Sequence, residues 1–368
     1  MALICRELPE ARGRSPECLA SCRADVNLNM MSAFTSSPAD RDSITALLSA
    51  ALGIGENAPA LDPNFQQWKY WGPHPLIDVS RSHILKEQGS VVAHGCVWPI
   101  QLCAPSGSFK AFHLIDWAAR RDIPGAGMQV LRQCCCGMAA MFSIGGSAMT
   151  RKILPAFGFK PYNHMTFLHR PLRPLQRALR ESPADWKMPA RVLHNLYMHL
   201  YPSRTLPEGW HVSPAELGQI PESLWPTASA GVAVSQRSSQ LLTHVMTCPA
   251  IRRSACGLLS RGTNPAAAYL LLVQVRNQVR LADYGPSDLD EETSRILGLG
   301  AQALALSLFP DATAVIAATS ELPTRYGFLR SGFRLIGEEP IKVLKLDKSL
   351  SSIASFRLTL LDWDALCL

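Results

Sequence analysis

The residues best placed to do chemistry lie between Ala111 and Leu131, where the chain reads Ala-Phe-His-Leu-Ile-Asp-Trp-Ala-Ala-Arg-Arg-Asp-Ile-Pro-Gly-Ala-Gly-Met-Gln-Val-Leu. An apolar run ends at Asp116, two arginines follow, and Gly125 and Gly127 open a helical stretch. Glycines let the chain bend sharply and bring backbone N–H groups close to a ligand. A helix start adds about +0.5 of partial charge. Together they make a cradle for an anion, typically a pyrophosphate. Two familiar cradles are excluded. A Walker loop needs Gly-Lys-Ser/Thr, but Met128 follows Gly127; a dinucleotide fingerprint needs a third glycine, but Val130 stands there. The single pyrophosphate loop of a coenzyme A enzyme survives both tests.

The neighbouring polar residues have competing readings. Asp116 is either a base beside the loop or a carboxylate that holds it; its recurrence as Asp283 in the second half favours the structural role. His94, His113 and His164 are alternative bases, although a lone strand His is more often a satisfied or surface group. Ser147, after Gly145-Gly146, suits the N-cap of the next helix or a contact to substrate. No Gly-x-Ser-x-Gly elbow surrounds it, so serine hydrolase chemistry is not supported.

Stepping outward, the patterning supplies elements to position these groups. A helix is expected over 40–53, with Gly53 as its stop. A hairpin follows over 82–102, then a strand over 109–117. Helices are expected over 128–141 and 148–157, with a short strand over 142–144 between them and strands over 159–169 after them. Nine of the 27 prolines fall between Arg170 and Pro226, which reads as a connection carrying one helix over 184–200. Beyond it come strands over 254–260 and 266–282, a helix over 291–308, a strand over 313–318, a helix over 322–329 and closing strands from Gly332. Strands alternating with helices imply a partly parallel sheet. The halves form a weak repeat. Leu114-Ile-Asp-Trp-Ala matches Leu281-Ala-Asp-Tyr-Gly, and Gly158-Phe-Lys matches Gly332-Phe-Arg.

The segment from Phe109 to Phe167 resembles the core of the GCN5-related N-acetyltransferase (GNAT) superfamily. In that family a strand, a Gly-x-Gly pyrophosphate loop and a helix bind coenzyme A; a splayed strand and a helix ending in Gly-Phe follow. Here the order is 114–118, 124–127, 128–141, 142–144 and Gly158-Phe159. The resemblance covers about 41–170 and, through the repeat, 205–348. It implies an α/β (α+β) chain of two GNAT-like domains in tandem, each a twisted mixed sheet flanked by helices. The implied layout is a disordered extension over 1–40, a coenzyme A-binding domain over 41–170, a Pro-rich connection over 171–230 and a degenerate domain over 231–368.

It also implies N-acyl transfer from acetyl-CoA or another acyl-CoA to an amine by direct attack. The coenzyme would touch Trp117, Ala118, Arg121, Pro124, Gly125, Ala126, Gly127 and Met128. Such attack requires a base for the amine, N–H donors for the oxyanion and a proton for the thiolate; Asp116, Ser147 and Tyr162 are the candidate catalytic residues. Three positions depart from the family. Asp122 replaces a phosphate-binding Arg or Gln, with Arg120 and Arg121 adjacent. Leu154 stands where a Tyr acid is common. Asp288, Asp290, Glu291 and Glu292 occupy the second loop and would repel a pyrophosphate, so the C-terminal copy is not expected to bind coenzyme A. The alternatives are an aminoacyl-tRNA-dependent transferase of the Fem type and a non-catalytic acyl-CoA-binding sensor or scaffold.

Composition bounds these readings. At 368 residues, 47% apolar and 18% charged, the chain can bury a sizeable core and is not wholly disordered. It shows neither a run of about 20 apolar residues nor a secretory h-region, so a cytoplasmic protein without a membrane partner is expected. Eleven cysteines lack paired Cys-x-x-Cys spacing, so reduced thiols and no metal are expected, with Cys134, Cys135 and Cys136 packed on one helix. The net charge is +7, and between Lys160 and Arg204 eight Lys/Arg face two acids. That excess suits an anionic partner; a small-molecule or peptide amine acceptor with an anionic group fits it, and nucleic acid is not the expected partner.

Overall fold

Short apolar runs punctuated by glycine and proline build one curled sheet. The computed structural model describes residues 33–55, 58–173, 186–200 and 205–367. The N-terminal half contains β1 (Phe34–Thr35), α1 (Arg41–Leu52), α2 (Pro63–Gln66) with a π-turn over Gln67–Trp71, β2 (Ser82–Glu87), β3 (Ser90–Ala104), β4 (Gly107–Ala119), α3 (Ala126–Cys134), β5 (Ala140–Ile144), α4 (Ala148–Ile153) and β6 (Lys160–Pro171). After it come α5 (Met188–Leu200), β7 (Trp210–Ala215), β8 (Val232–Ser235), α6 (Ser239–Met246), β9 (Ile251–Arg261), β10 (Ala268–Val275), β11 (Gln278–Gly285), α7 (Glu291–Leu308), β12 (Ala314–Thr319), α8 (Leu322–Arg330), β13 (Arg334–Lys345) and β14 (Ser355–Arg357).

The sheet order is β1-β2-β3-β4-β5-β13-β6-β12-β11-β10-β9-β7. It is symmetric about the β13–β6 pair: β5 mirrors β12, β4 mirrors β11, β3 mirrors β10, and β2 mirrors β9. The sequence repeat is thus a structural repeat. The halves also exchange strands. β13, from the C-terminal half, lies between β5 and β6, and β6 lies between β13 and β12. A sheet continuous through exchanged strands ties the halves together by backbone hydrogen bonds rather than by a linker alone.

Each half carries one parallel pair that opens into a V. β4 pairs with β5 only from Ala111 to His113, and β11 with β12 only from Gln278 to Leu281. Beyond those points the strands diverge. Beside each opening the ladder slips by one residue, between His94 and Cys96 on β3 and between Leu271 and Leu272 on β10. Asp116 sits in the first bulge with φ +47, a left-handed conformation that few non-glycine residues adopt.

Several boundaries differ from expectation. The helix after the glycine turn ends at Cys134, and Gly137 at φ +75 turns the chain into β5; Cys135 and Cys136 therefore leave the helix. The apolar stretch 266–282 is two strands, β10 and β11, joined at Arg276-Asn277. Arg276 takes φ +56 there, a hairpin turn made without glycine. The closing segment from Arg334 is one long strand, β13, through Lys345, followed by the short β14. β7 lies inside the segment read as a connection and pairs along β9. Residues 1–32 and 184–185 lie outside the described residues, so the calls made on them rest on sequence.

Candidate functional site

β4 ends at Ala119 and the chain turns through Arg120–Pro124 into α3. The loop is exposed, and Arg120 is paired with Asp122 inside it. Gly125 takes φ +83 as the N-cap of α3, and no side chain caps that helix. A Cβ at Gly125 would meet nothing within 4 Å, so the loop tip is open. Gly127 is constrained instead: a Cβ there would lie 3.2 Å from the Ala119 Cβ and 3.4 Å from the Trp117 indole nitrogen. That indole nitrogen donates to the Gly127 carbonyl at 2.9 Å, which clamps α3 to the end of β4. Of the eight residues expected to line the cradle, Arg121, Pro124, Gly125 and Met128 are exposed, Trp117 and Gly127 half-buried, and Ala118 and Ala126 buried.

The second half has the same strand–loop–helix with a different helix start. The Asp290 carboxylate caps α7, accepting from the Thr293 amide at 2.6 Å. Glu291 and Glu292 follow and pair with Arg330 and Arg295. A carboxylate already holds this helix dipole, so a second anion is repelled. The V of this half opens on a cleft of about 440 Å³ carrying Asp288 and Glu321.

Asp116 points away from the loop tip into a buried cluster. The Lys69 ammonium lies 2.6 Å from its carboxylate, and the Tyr70 hydroxyl donates to it at 2.6 Å. Burial alone would raise the Asp116 carboxyl; the neighbouring Lys69 charge outweighs this and holds it below the usual carboxylate range. Lys69 also meets Asp364 at 2.5 Å and is itself fully buried. The C-terminal half repeats the device with different residues. Arg237 pairs with Asp283 at 2.9 Å and with Asp362 at 2.8 Å, and the Tyr269 hydroxyl donates to Asp283 at 2.5 Å. One carboxylate of each cluster comes from the C-terminal segment Asp362-Trp363-Asp364, which lies between the halves and ties both to itself.

The other sequence candidates are equally committed. His94 is fully buried between the Ser82 hydroxyl (2.9 Å) and the Asp116 carbonyl (2.8 Å), and burial pushes it down to about 4. His113 sits where β4 and β5 begin to part. Its Nε2 accepts from the Ile144 amide at 3.2 Å while Nδ1 faces the Asp362 carbonyl at 3.3 Å; burial pushes it to about 4 as well. His164 is exposed on β6. Ser147 is the N-cap of α4, accepting from the Thr150 amide at 3.1 Å. Tyr162 lies on β6, so β13 stands between it and β5. Its ring packs edge-on against Phe356, with the Lys345 ammonium 4.5 Å above it. Leu154 is fully buried. Asp116, Ser147 and Tyr162 thus have separate partners: Lys69 and Tyr70 for the first, the Thr150 amide for the second, and the Phe356 and Lys345 side chains for the third.

Sequence reasoning missed Lys69, Arg237, Asp362 and Asp364. Lys69 had a signal, as a lone cation inside Trp68-Lys-Tyr-Trp, where an aromatic wall implies burial and burial implies a carboxylate partner.

No family model matches the sequence, and no curated protein sequence matches it. Solved structures do. A GCN5-related N-acetyltransferase from Anabaena variabilis gives a TM-score of 0.54 at 7% identity, over 88% of this chain and 74% of that one. The N-myristoyltransferase of Saccharomyces cerevisiae with bound myristoyl-CoA gives 0.55 at 12% identity, over 88% and 85%. A tandem GNAT protein from the clavulanic acid biosynthesis pathway gives 0.52 at 11% identity, over 85% and 98%. This chain has the tandem GNAT fold. The two related sets of strands described above correspond to the two halves of that fold, and the Gly125–Gly127 turn opens α3 with no capping side chain. Among the described residues, no helix is long and apolar enough to cross a membrane.

Proposed function

We propose that the protein is an acyl-CoA-dependent N-acyltransferase whose N-terminal half holds the coenzyme. The observation that carries this reading is the contrast between the two helix starts. α3 begins at the uncapped, open Gly125, whereas α7 begins at the Asp290 carboxylate. One cradle is built for an anion and the other is filled by one. The amides of the Gly125–Gly127 turn and the α3 dipole would hold the diphosphate. Arg121 would add charge at the rim, and Trp117 and Ala118 would floor the chain leading into the V between β4 and β5. Bound there, an acyl-CoA would supply an activated thioester for attack by an amine.

The chain's own residues position rather than titrate. Lys69 and Tyr70 fix Asp116 and so hold the bulge that aims β4 into the V. His113 fixes where the V begins. We assign Asp116 this structural role and Ser147 the capping of α4, and place amine activation outside the buried carboxylates and imidazoles of β3 and β4. Tyr162 remains the proton-donor candidate only if the acceptor spans β13.

One observation favours a second reading. No acid or base is presented at the V by the residues named here: Asp116 is ion-paired, His94 and His113 are buried and neutral, and Leu154 fills the position of the family acid. An acyl-CoA-binding module without turnover fits that arrangement. Single-turnover assays with acetyl-CoA and longer acyl-CoAs across a panel of amines and N-terminal peptides separate the two. Thiol release that requires an amine supports the transferase. Saturable binding with no amine-dependent release, at any chain length, overturns it in favour of the module.

A further inference from the structure

The V between β4 and β5 is open at its mouth and closed at its apex. At the mouth, a Cβ on Gly145, just past the end of β5, would meet nothing within 4 Å. From Ala119, where β4 meets the loop, back to His113 the strand covers about 20 Å at about 3.3 Å per residue. At the apex the Ile144 amide donates to the His113 Nε2 at 3.2 Å, so the imidazole lies across the two strands where they part. Phe142, Ile144, Ile341 and Phe356 are all buried in the core there, and the Phe142 and Phe356 rings meet edge-on at 5.0 Å.

Behind the imidazole stands Trp363. Its ring lies 5.5 Å from that of His113 and 5.5 Å from that of Phe167. Phe167 and Trp363 line a cleft of about 910 Å³, whereas His113 and Ile144 do not. Trp363 is therefore the side chain common to the apex and the cleft. The backbone beneath it is pinned on both sides. Asp362 is held by Arg237 at 2.8 Å and Asp364 by Lys69 at 2.5 Å. The Leu361 carbonyl accepts from the Trp98 indole at 3.2 Å. The buried ion pairs of the two halves thus converge on the two neighbours of one aromatic residue.

We propose, on the reading that the Gly125 turn holds an acyl-CoA, that His113 and Trp363 are the end wall of the acyl site and restrict the donor to short acyl groups such as acetyl or propionyl. A diphosphate at the turn sends the arm of the coenzyme down the V, so its thioester end arrives nearest His113. Room for a longer chain lies in the cleft behind the indole. Trp363 is then the specificity-determining residue. Truncating it joins apex and cleft, and each methylene that leaves water there raises affinity about fourfold.

Calorimetric titration of free coenzyme A, acetyl-CoA and octanoyl-CoA into wild type, Trp363→Ala and Trp363→Val tests the wall. In wild type octanoyl-CoA binds no tighter than acetyl-CoA. In Trp363→Ala it binds at least about tenfold tighter than acetyl-CoA, the return on two buried methylenes, while free coenzyme A binds as in wild type. A purely structural role for Trp363 would weaken all three ligands together and leave the ratio unchanged. Trp363 sits on extended backbone, which suits a β-branched residue, so Trp363→Val carries the test if the alanine variant does not fold. Wild type that already binds octanoyl-CoA about tenfold tighter than acetyl-CoA overturns the proposal, as does a ratio that moves in neither folded variant. Folded wild type that binds none of the three, free coenzyme A included, overturns the acyl-CoA reading itself and the wall with it.

Discussion

Replacing Lys69 with Met removes the single cation shared by two buried carboxylates. In the wild type its ammonium sits 2.6 Å from Asp116 and 2.5 Å from Asp364, so the two carboxylates lie within about 5 Å of each other by that geometry. Met fills the aliphatic volume, which isolates the electrostatic effect. Breaking a buried pair by removing one partner costs about 3–5 kcal/mol, and two stranded carboxylates place this variant at the upper end. For a chain of this size that lowers the melting temperature by about 4–7 °C. The pH dependence changes sign. In the wild type the Asp116 carboxyl is held low in the folded state, so its contribution is present at neutral pH and is lost as the pH falls through the carboxylate range. In Lys69→Met one of the two facing carboxylates must take a proton, so its folded pKa rises above the unfolded value. Relative to the wild type, that variant loses least in acid and progressively more as the pH rises towards 7. Adding Asp364→Asn to Lys69→Met removes the like-charge contact and recovers part of the loss. The assay is urea unfolding of all three proteins at pH 5 and pH 7. A Lys69→Met loss below about 1 kcal/mol at pH 7, or one that does not shrink at pH 5, refutes the account of the cluster.

Four further outcomes follow from the geometry. His94 and His113 are buried with folded pKa values of about 4 against about 6.5 unfolded, so the unfolded chain binds protons first. Each therefore removes about 2 kcal/mol by pH 5, and the loss between pH 7 and pH 5 shrinks in His113→Gln. Asp290→Ala uncaps α7 and costs about 1 kcal/mol by urea unfolding, and it opens the second helix start without creating acetyl-CoA binding there, because Asp288, Glu291 and Glu292 remain. Gly127→Val overpacks the contact with Ala119 and Trp117 and costs about 1–3 kcal/mol, read as a lower urea midpoint with a blue or red shift of tryptophan emission. Arg357→Met strands Glu321, which its guanidinium holds at 3.0 Å, and costs about 3 kcal/mol by the same unfolding assay.

The helix over 291–308 was legible to the residue because an acidic cap, a clean apolar period and Phe309 bound it. The hairpin expected over 82–102 was legible through two apolar runs about a glycine turn, and the turn before α3 through two glycines at fixed spacing. The Asp116/Asp283 repeat was read in one dimension and proved to be a structural mirror. What sequence could not supply was the strand exchange. Nothing local in 334–345 says that it pairs with β5, nearly two hundred residues earlier in the chain, because long-range pairing is decided by which edges are left open. The partners of Asp116 were hidden for the same reason. Lys69 and Asp364 are almost three hundred residues apart, and only the fold makes them neighbours. The apparent single strand over 266–282 concealed a turn because Arg276-Asn277 carries no glycine or proline.

The central claim is that the Gly125–Gly127 cradle, and not its counterpart before α7, holds an acyl-CoA. Calorimetric titration of acetyl-CoA into wild type, Arg121→Glu, Gly125→Glu and Asp290→Ala tests it most directly. The account predicts one site per chain, binding weakened at least about tenfold by Arg121→Glu and abolished by Gly125→Glu, and unchanged in Asp290→Ala. Wild-type protein that is folded and shows no binding of acetyl-CoA or a longer acyl-CoA contradicts the claim. Binding that survives Gly125→Glu contradicts it equally.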